Sequence, residues 1–509
     1  MDVILQFERF FTSIFSIITS PEKLILLFGS TFVGVIFGAL PGLTSTLGVA
    51  LLTTLTYGLH MESALVSLMG IYVGAVYGGS YASIMINIPG TAASAATALD
   101  GFPMAKRGEA GRALGLTTTA SAIGTIIGMI FLVTFTPIIA ALALQFTSFE
   151  FFLLAFLGIV LSGGISAPDT VQKGWIMGFF GLFLANVGRD QLQTYPRFTM
   201  GISQLEGGID IIAVLIGAFG IPQIIQVLKD KDKIPEPIQL NRVLPSFGDI
   251  GRNIKNIVRS ALVGVGIGAV PGIGEDIAAW VSYGTAKKAS KQPERFGNGA
   301  EEGIIASETA NNACIGGAMI PLLSMGIPGS PPAAMLLGAL LLHGVAPGPM
   351  LEVERPGFTI TISAILLLAS FSMWIIGILL AKQVIKLLRV HSALFMPVVG
   401  ILCLVGSYAL GLKVFNLYLL VPMGLLTYYF TNYGYPVPPM VIGFILGSMA
   451  DANLRRGLMV SKGSLIPFFT RPVALILFSV ILITFLSNTE WYKNVSARFK
   501  KRKTSGKSS

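Results

Sequence analysis

Five long stretches of the chain contain no Asp, Glu, Lys or Arg. They cover residues 24–61, 63–99, 113–149, 309–351 and 414–450. Each is longer than the run of about 20 apolar residues that one helical crossing of a membrane requires. Charged residues make up 12% of the chain, whereas a soluble domain carries roughly 25%. The sequence therefore predicts an all-α polytopic membrane protein and excludes a soluble enzyme.

Glycine and basic residues refine this class. The chain has 59 glycines, and in membrane proteins glycine marks close helix packing and helix breaks. The formal net charge is +10, which cytoplasmic loops and anionic lipid headgroups explain. We therefore expect the lipid bilayer, and no nucleic acid, as a partner of these cations. Several of them form a basic tail, namely Arg498, Lys500, Lys501, Arg502, Lys503 and Lys507.

An internal repeat organises the chain. Gly38-Ala-Leu-Pro-Gly-Leu43 recurs 230 residues later as Gly268-Ala-Val-Pro-Gly-Ile273, and Asn87-Ile-Pro-Gly90 recurs 239 residues later as Gly326-Ile-Pro-Gly329. A third match follows in the same order, between Phe156-Leu-Gly-Ile-Val160 and Val398-Val-Gly-Ile-Leu402. Three ordered matches indicate two related halves.

Loop charges predict that the two halves have opposite orientations. After its second Pro-Gly motif the first half carries Lys106, Arg107 and Arg112, whereas the corresponding loop of the second half carries Glu352 and Glu354. The loop after the first Pro-Gly motif shows the reverse bias, because it carries cations in the second half and none in the first half. Since cytoplasmic loops are enriched in Lys and Arg, corresponding loops face opposite sides. This pattern is typical of the inverted-topology repeats of secondary transporters.

The repeat divides the chain into six regions and about 10–12 transmembrane helices. One conflict remains at Arg455, Arg456 and Lys462, a basic loop that would lie outside if 436–450 and 467–488 each cross once. Either 436–450 is re-entrant or this loop is an exception to the positive-inside trend. The six regions are an N-terminal helix (1–23), a first inverted repeat (24–228), a cytoplasmic linker (229–253), a second inverted repeat (254–452), a last membrane helix region (453–490) and a basic cytoplasmic tail (491–509).

Four Pro-Gly pairs predict helix breaks at membrane depth. Proline removes a backbone donor and glycine loosens the next position. Lipid cannot satisfy the freed groups, so such a break needs protein or a polar cavity around it. A single pair is usually a kink or a surface loop, but four in symmetric positions favour re-entrant hairpins whose half-helix ends face ions or anions. The pairs are Pro41-Gly42, Pro89-Gly90, Pro271-Gly272 and Pro328-Gly329.

Polar residues near these breaks predict a cation site. Carboxylate, amide, hydroxyl and opened-helix carbonyl oxygens are the ligands that Na⁺ takes in transporters. The adjacent amides of Asn311 and Asn312 are the strongest candidates, because buried amides are costly without partners. The predicted ion-binding residues, where Na⁺ is the expected metal ion, are Pro41, Gly42, Thr44, Pro271, Gly272, Glu275, Asp276, Glu308, Asn311 and Asn312.

Three of the acidic residues also have simpler interpretations. Glu275 and Asp276 fall in the first turn of the helix after Pro271-Gly272, where the helix dipole alone favours an acid. Asp100 precedes Gly101 near a helix end, so a turn or a salt bridge to Arg107 is expected there rather than a substrate contact.

Neither an enzyme nor a structural metal centre is predicted. The cysteines, Cys314 and Cys403, lie in apolar stretches, and His60, His343 and His391 are scattered without ligand spacing. No nucleophile and base are spaced for catalysis. A channel stays open as an alternative, although a channel would more naturally use rotational symmetry among subunits. No cofactor besides a coupling ion is expected.

Several motifs together resemble the large permease subunit, TctA, of the tripartite tricarboxylate transporters. The resemblance runs from about residue 20 to residue 490. The motifs are Gly38-Ala-Leu-Pro-Gly-Leu43, Tyr72-Val-Gly-Ala-Val-Tyr-Gly-Gly-Ser80, Asn87-Ile-Pro-Gly90, Ala98-Leu-Asp-Gly-Phe-Pro-Met104, Gly272-Ile-Gly-Glu-Asp-Ile-Ala-Ala-Trp-Val-Ser-Tyr-Gly284, Glu308-Thr-Ala-Asn-Asn312 and Gly326-Ile-Pro-Gly-Ser330.

The resemblance implies a bacterial or archaeal inner-membrane importer driven by an ion gradient. It implies two partners, a small four-helix membrane subunit and an extracytoplasmic solute-binding protein. It further implies citrate-like tricarboxylates or other carboxylates as substrates, and an elevator-like movement. A homodimer is left open, and the C-terminus is expected in the cytoplasm.

The resemblance also implies that two Pro-Gly hairpins form the substrate site. Many members carry an acid directly after the Pro-Gly pair of the first hairpin, Pro89-Gly90, where this chain has Thr91. Because Glu308 would repel a tricarboxylate, we expect a cation to bind with it, Na⁺ first and H⁺ as the alternative. The predicted substrate-binding residues are Ser80, Ser83, Asn87, Pro89, Gly90, Thr91, Ser324, Gly326, Pro328, Gly329 and Ser330.

Overall fold

The computed structural model describes residues 3–167, 170–190, 192–229, 237–240, 243, 247–409 and 412–487. Within them the chain is almost entirely α-helical, as the sequence predicts. The predicted basic tail 491–509 lies outside the described residues, as do parts of the predicted linker 229–253 and the end of the region 453–490.

Among the described residues up to Lys229, the chain forms nine α-helices. A left-handed Gly108, with φ 84°, kinks the chain between α5 and α6. The helices are α1 (Val3–Ile18), α2 (Pro21–Ala39), α3 (Ser45–Leu55), α4 (Met61–Ile86), α5 (Ser94–Met104), α6 (Ala110–Ala143), α7 (Ser148–Ser166), α8 (Val171–Ala185) and α9 (Ile211–Lys229).

The second part repeats this alternation of long and short helices. The helices are α10 (Phe247–Arg252), α11 (Ile254–Gly268), α12 (Gly274–Ala289), α13 (Glu301–Met325), α14 (Pro331–Leu342), α15 (Leu351–Glu354), α16 (Phe358–Leu379), α17 (Ala381–Leu387), α18 (Met396–Ala409), α19 (Val414–Asn432), α20 (Val437–Val460), α21 (Pro467–Thr470) and α22 (Pro472–Ser487).

Eight helices among the described residues are long and apolar enough to cross a membrane. The chain is therefore an all-α multi-pass membrane protein, and the number of crossings stays a prediction. The eight are Pro21–Ala39, Met61–Ile86, Ser94–Ala143, Ser148–Ser166, Ile211–Lys229, Phe358–Leu379, Val414–Asn432 and Val437–Val460. Shorter apolar helices are Ser45–Leu55, Val171–Ala185, Pro331–Leu342, Met396–Tyr408 and Pro472–Ser487.

The chain folds into two compact units. One is built from the described parts of Met1–Leu144 and Asp210–Tyr429, and the other from those of Gln145–Ile209 and Phe430–Ser509. Each predicted repeat contributes to both units, and the repeat boundaries themselves stay a prediction.

Within the first unit, the most buried helices are α4 and α13. The side chains of α4 from Ser63 to Ile86 are buried, as are those of α13 from Gly303 to Ser324. α2 packs along α4, α11 packs along α13, and α6 lies against α13. The polar α13 is thus the centre of the unit rather than a lipid-facing span, so its acidic and amide side chains need partners inside the protein.

The second unit contains a short antiparallel hairpin held by charge. β1 (Gly188–Arg189) pairs with β2 (Pro196–Arg197), with Gly188 opposite Arg197 and Arg189 opposite Pro196. The buried Asp190 binds Arg455, and its carboxylate lies 3.3 Å from the Arg197 guanidinium. Hydrogen bonding from Arg455 lowers the pKa of Asp190 below its ordinary value, so this carboxylate stays ionised and fixes the loop to α20.

The same ion pair corrects the predicted basic loop. Arg455 and Arg456 lie in α20, which continues to Val460, so only Lys462 belongs to the following loop. The charge of Arg455 is matched by Asp190 and Asp451. The predicted crossing 436–450 ended where the charge-free run ends, whereas local charge pairing allows the helix to continue to Val460.

Candidate functional site

The first hairpin, hairpin 1, is the turn of residues 87–91 between α4 and α5. α4 ends in a left-handed residue, Asn87, with φ 57°; Asn tolerates this conformation better than other residues with a Cβ. The Thr91 N–H donates to Ser94 Oγ (3.1 Å), and the Ser94 N–H donates to Thr91 Oγ1 (3.3 Å). Asn87 and Pro89 are exposed and Thr91 is half-buried, so the tip of hairpin 1 is accessible to a ligand.

The second hairpin, hairpin 2, is the turn of residues 326–330 between α13 and α14. α13 also ends in a left-handed residue, here Gly326 with φ 74°. Ser330 is the N-cap of α14 and accepts a hydrogen bond from the Ala333 N–H (3.3 Å). Pro328, Gly329 and Ser330 are buried. The backbone of hairpin 2 therefore matches that of hairpin 1, but its tip is enclosed.

The other two Pro-Gly pairs form turns that end α2 and α11. Gly42 and Gly272 both adopt positive φ, at 90° and 79°. Thr44 then caps α3 by accepting from the Leu47 N–H (3.2 Å), and Gly274, with φ 75°, opens α12.

The tip of hairpin 1 lies against the end of α2, and the tip of hairpin 2 lies against the end of α11. A Cβ on Gly90 would collide with the Gly38 carbonyl oxygen, and a Cβ on Gly329 would collide with the Gly268 carbonyl oxygen. Only glycine permits so close a backbone approach. The four breaks therefore lie together in two matched pairs, as the inverted repeat would require.

Glu308 occupies the middle of the buried helix α13. Its carboxylate accepts hydrogen bonds from Thr97 Oγ1 (2.5 Å) on α5 and from Ser121 Oγ (2.9 Å) on α6. Thr97 Oγ1 also lies 2.9 Å from Ser307 Oγ. Glu308 is 0% exposed, and it belongs to none of the ion pairs found among the described residues. A buried carboxylate in this setting requires a proton or a cation.

The two asparagines that follow differ from each other. Asn312 donates from Nδ2 to Thr125 Oγ1 (3.1 Å) on α6, and its Oδ1 has no partner. Asn311 is fully buried; its Oδ1 has no hydrogen-bond partner in the described part of the chain, and its side-chain amide lies beside the Glu308 carboxylate. Helical spacing places Asn311 on the face of Ser307 and Glu308, one turn further along. Amide oxygens without partners thus lie next to the carboxylate.

Glu275 lies in a separate buried cluster at the start of α12. It accepts a hydrogen bond from the Tyr72 hydroxyl of α4, and this hydroxyl also lies 2.8 Å from Ser330 Oγ of hairpin 2. The neighbouring Asp276 is exposed. Glu275 therefore connects to the predicted substrate hairpin, whereas Asp276 does not share that contact.

Asp100 holds the loop before α13 by hydrogen bonds and does not form the salt bridge considered in the sequence analysis. Its Oδ1 accepts from the backbone N–H groups of Gly297, Gly299 and Ala300, all at 2.8 Å, and its Oδ2 accepts from the Tyr283 hydroxyl (2.9 Å). Arg107 instead donates to carbonyl groups of this same loop. Of the two expectations for Asp100, a turn or a salt bridge to Arg107, the salt bridge is wrong, because the loop before α13 offers both residues backbone partners.

Three predicted substrate residues make local hydrogen bonds instead of facing a shared site. The buried hydroxyls donate to backbone carbonyls, from Ser80 to Tyr77, from Ser83 to Ser94 and from Ser324 to Ile320. Such hydroxyls satisfy themselves within a helix or across a hairpin.

Sequence reasoning missed the hydroxyl groups that the carboxylates meet. These are Tyr72, Thr97 and Ser121, with Thr125 beside Asn312. The spacing of Ser121 and Thr125, one helical turn apart, matches that of Glu308 and Asn312. That shared spacing was the one available signal. Among the described residues no group of three or more His, Cys, Asp and Glu side chains could hold a metal.

Comparison with known proteins decides the family. Residues 24–442 match the model of the "Tripartite tricarboxylate transporter TctA family". The chain belongs to this family. It is thus the permease component of a tricarboxylate transporter, one part of a three-part assembly with membrane partners and a binding protein. The TctA family is a transporter family and not an enzyme family.

Two relatives from Agrobacterium vitis are similar to this TctA chain. The "Uncharacterized 52.8 kDa protein in TAR-I ttuC' 3'region" is 33% identical over 464 residues, covering 91% of this chain and 92% of the relative. The "Uncharacterized protein in TAR-II ttuC' 3'region" is 33% identical over 217 residues, covering 43% of this chain and 90% of the relative. No solved structure matches the chain.

Proposed function

We propose that this TctA chain imports citrate-like tricarboxylates or other carboxylates by Na⁺-coupled, elevator-type alternating access. The observation that carries the proposal is the buried Glu308 carboxylate, which meets hydroxyl donors and no cationic side chain among the described residues. An unpaired charge in such a place is costly. A coupling cation that arrives with the substrate would remove this cost and would also reduce the repulsion of an incoming polyanion.

Na⁺ suits the groups around Glu308. Hard cations prefer oxygen ligands, and the unpaired amide oxygens of Asn311 and Asn312 lie within one turn of the carboxylate. The hydroxyls of Thr97 and Ser121 add further oxygens. The proposed coupling site is therefore Glu308 with these neutral oxygens, and H⁺ is the alternative ion because a carboxylate can also bind a proton.

The hairpins are the proposed substrate site. Hairpin 1 offers the exposed Asn87 at the end of α4 and the half-buried Thr91 just before α5. The dipole at the start of α5 favours an anion near Thr91. Neither hairpin turn contains Lys or Arg, so release of the carboxylate would not require breaking an ion pair with the turn.

The proposal also covers the movement, the partners and the location of this chain. Both hairpins belong to the same compact unit, which supports the proposal that they are carried together. The proposed partners are a small four-helix membrane subunit and an extracytoplasmic solute-binding protein. The proposed location is the inner membrane with a cytoplasmic C-terminus, and self-association into a homodimer is a further proposal.

Uptake of labelled citrate tests the proposal. Proteoliposomes would carry this chain with its small subunit and binding protein, with and without an inward Na⁺ gradient. We expect Na⁺-stimulated uptake that Glu308→Gln lowers at least about tenfold, since losing a buried charged contact costs about 1.5–3 kcal/mol. Glu206→Gln is the matched control, because Glu206 lies in an exposed ion pair with Arg189.

The outcomes separate the alternatives. Uptake that is driven by a pH gradient and does not depend on Na⁺ would indicate that H⁺, and not Na⁺, is the coupling ion at Glu308. Flux that does not saturate and needs no gradient would indicate a channel. Absence of uptake for citrate and for a panel of other di- and tricarboxylates would overturn the substrate assignment.

A further inference from the structure

One end of the second unit is built by ion pairs between its loops. The carboxylate of Asp190 binds Arg455 near the end of α20, and that of Glu150 in the first turn of α7 binds Arg471 just before α22. A cavity of about 590 Å³ lies between the start of α7 and the last turns of α20. The loops at these helix termini therefore meet at one place, which we name the ion-pair end.

The opposite end of the second unit leads to the basic tail. The rings of Trp175, at the start of α8, and Phe485, at the end of α22, lie 4.5 Å apart. Lys173 donates to the Tyr433 carbonyl oxygen (2.6 Å) just before α20. The basic tail follows α22 in the sequence. Because the proposed function, on which this orientation rests, places the tail in the cytoplasm, the ion-pair end faces the extracytoplasmic side.

The ion-pair end carries two cations that its own carboxylates do not match. Arg456 and Lys462 are exposed, and neither belongs to an ion pair among the described residues. Short extracytoplasmic loops are normally poor in Lys and Arg, so these two charges need another explanation. The carboxylates of this end are Glu150, Asp190, Glu206 and Asp451, and they pair with Arg189, Arg197, Arg455 and Arg471.

Lys462 occupies a backbone position that favours glycine. It follows α20 with φ 53°, and its N–H donates to the Met459 carbonyl oxygen (3.2 Å). Glycine is the usual residue at a left-handed position after a helix, because a Cβ destabilises this conformation. The helix dipole favours a cation near this end, but a lysine in the last turn would serve without strain. The position of Lys462 therefore indicates a use for its charge outside the helix.

Apolar side chains lie beside these cations. Met459 is 54% exposed and Val460 is 80% exposed. Val460 follows Arg455 by five residues, which places it about 7.5 Å further along the helix axis. It thus lies beyond the level at which Arg455 meets Asp190, and apolar surface exposed beyond such ion pairs is typical of protein contacts. We name Arg456, Met459, Val460 and Lys462 the basic patch.

We infer that the basic patch docks the solute-binding protein by binding an acidic surface of that partner. Opposite charges across an interface steer the encounter and select the partner. Arg456 also lines the cavity of the ion-pair end, together with Phe146, Phe151 and Asn453. An apolar side chain of the partner fits this cavity next to a carboxylate bound by Arg456, and such buried anchors supply much of the affinity. Anionic lipid suits the patch less well, because it concentrates in the cytoplasmic leaflet.

Binding kinetics test the basic patch. This chain and its small subunit are placed in phosphatidylcholine nanodiscs, and association of the purified solute-binding protein is followed by biolayer interferometry at low and high NaCl. We expect Arg456→Glu and Lys462→Glu each to lower the association rate constant at low salt at least about threefold, and together at least about tenfold. Salt screening should reduce both effects. Lys173→Glu is the matched control, since it makes the same change of charge at the opposite end.

Two further variants separate apolar contact and folding from charge. Val460→Ser should raise the dissociation rate constant severalfold and leave the salt dependence of association unchanged. Lys462→Gly should slow association while the unfolding temperature stays the same or rises, because glycine favours positive φ. A lower unfolding temperature with wild-type association would mean that Lys462 serves the helix end, and would overturn its role in docking.

Cysteine labelling in intact cells tests the orientation without any transport. Cys314 and Cys403 are buried, so a membrane-impermeant maleimide should give little background. Lys462→Cys should react from outside. Gln172→Cys, exposed at the start of α8, should react only after the membrane is permeabilised. The reverse result would place the basic patch in the cytoplasm and overturn the inference.

The other outcomes are distinguishable from a failure of the proposed function. Wild-type association in both charge variants would overturn the docking surface. If these variants also copurify with less phosphatidylglycerol, lipid headgroups are the partner of the patch instead. A wild type that does not bind the solute-binding protein would overturn the docking and the proposed partner together. A wild type that binds it but takes up no citrate would overturn the proposed substrate and leave the docking surface standing.

Discussion

Hairpin 1 and hairpin 2 share a backbone and differ in chemistry. Both follow a long buried helix and begin with a left-handed residue, Asn87 or Gly326. Each tip lies against the end of an earlier helix of its own repeat, α2 for hairpin 1 and α11 for hairpin 2. Yet hairpin 1 exposes polar atoms, whereas hairpin 2 is enclosed and connected through Ser330 to Tyr72. The two copies of the repeat therefore share a backbone shape but make different contacts.

The largest expected effect comes from adding a methyl group at the hairpin tips. Gly329→Ala would place a Cβ against the Gly268 carbonyl and 2.6 Å from Ala318 Cα, whereas the matching atom of Gly90→Ala would lie 3.0 Å from Gly79 Cα besides meeting the Gly38 carbonyl. Overpacking costs about 1–3 kcal/mol of stability. We expect the loss of stability in Gly329→Ala to lie at the upper end of this range and that in Gly90→Ala to be smaller.

Thermal unfolding in detergent measures this difference. Gly266→Ala on α11 is the control, since no atom lies within 4 Å of its added Cβ, and alanine favours helix by up to about 1 kcal/mol. Equal losses at Gly329 and Gly90 would contradict the tighter enclosure of hairpin 2.

A smaller effect is expected at the left-handed residues. Gly326→Ala should lower the free energy of unfolding by about 1–2 kcal/mol, the usual cost of a Cβ in this conformation. Asn87→Gly should change it by less than about 1 kcal/mol, because it relieves one backbone strain and adds chain freedom. Chemical unfolding of the two variants checks both values. A loss in Asn87→Gly as large as that in Gly326→Ala would mean that the Asn87 side chain, and not its backbone, supports hairpin 1.

The smallest effect is expected from restoring a backbone donor to hairpin 2. Pro332→Ala adds an N–H to the first turn of α14, and removing a compatible proline costs about 0.4–1 kcal/mol of stability. We expect the KM for the transported carboxylate to fall severalfold, about as much as one added weak hydrogen bond allows. Pro472→Ala, at the start of α22, is the control for a general effect of proline loss. An unchanged KM would indicate that the anion does not meet this turn.

Much of this arrangement could be predicted from residues close in sequence. The charge-free runs predict the membrane helices, and the paired Pro-Gly motifs predict the breaks after Asn87 and Gly326, because proline and glycine act on their own backbone. Polar residues in charge-free runs likewise predict that Glu308 and Asn312 need buried partners.

The identity of those partners could not be predicted. Tyr72 meets Glu275 across 203 residues of chain, and Thr97 meets Glu308 across 211. No local pattern records which helix packs beside which. The predicted pairing of Asp100 with Arg107 failed for the same reason, since the loop before α13 reaches both residues from far along the sequence.

Helix α5 is fastened to α13 at two points one turn apart. Asp100 accepts from three N–H groups of the loop just before α13, and Thr97 contacts Ser307 and Glu308 of α13 itself. Two such attachments on one rigid rod prevent sliding of one helix past the other. In the proposed elevator, hairpin 1 and the carboxylate of Glu308 would therefore move together and over the same distance.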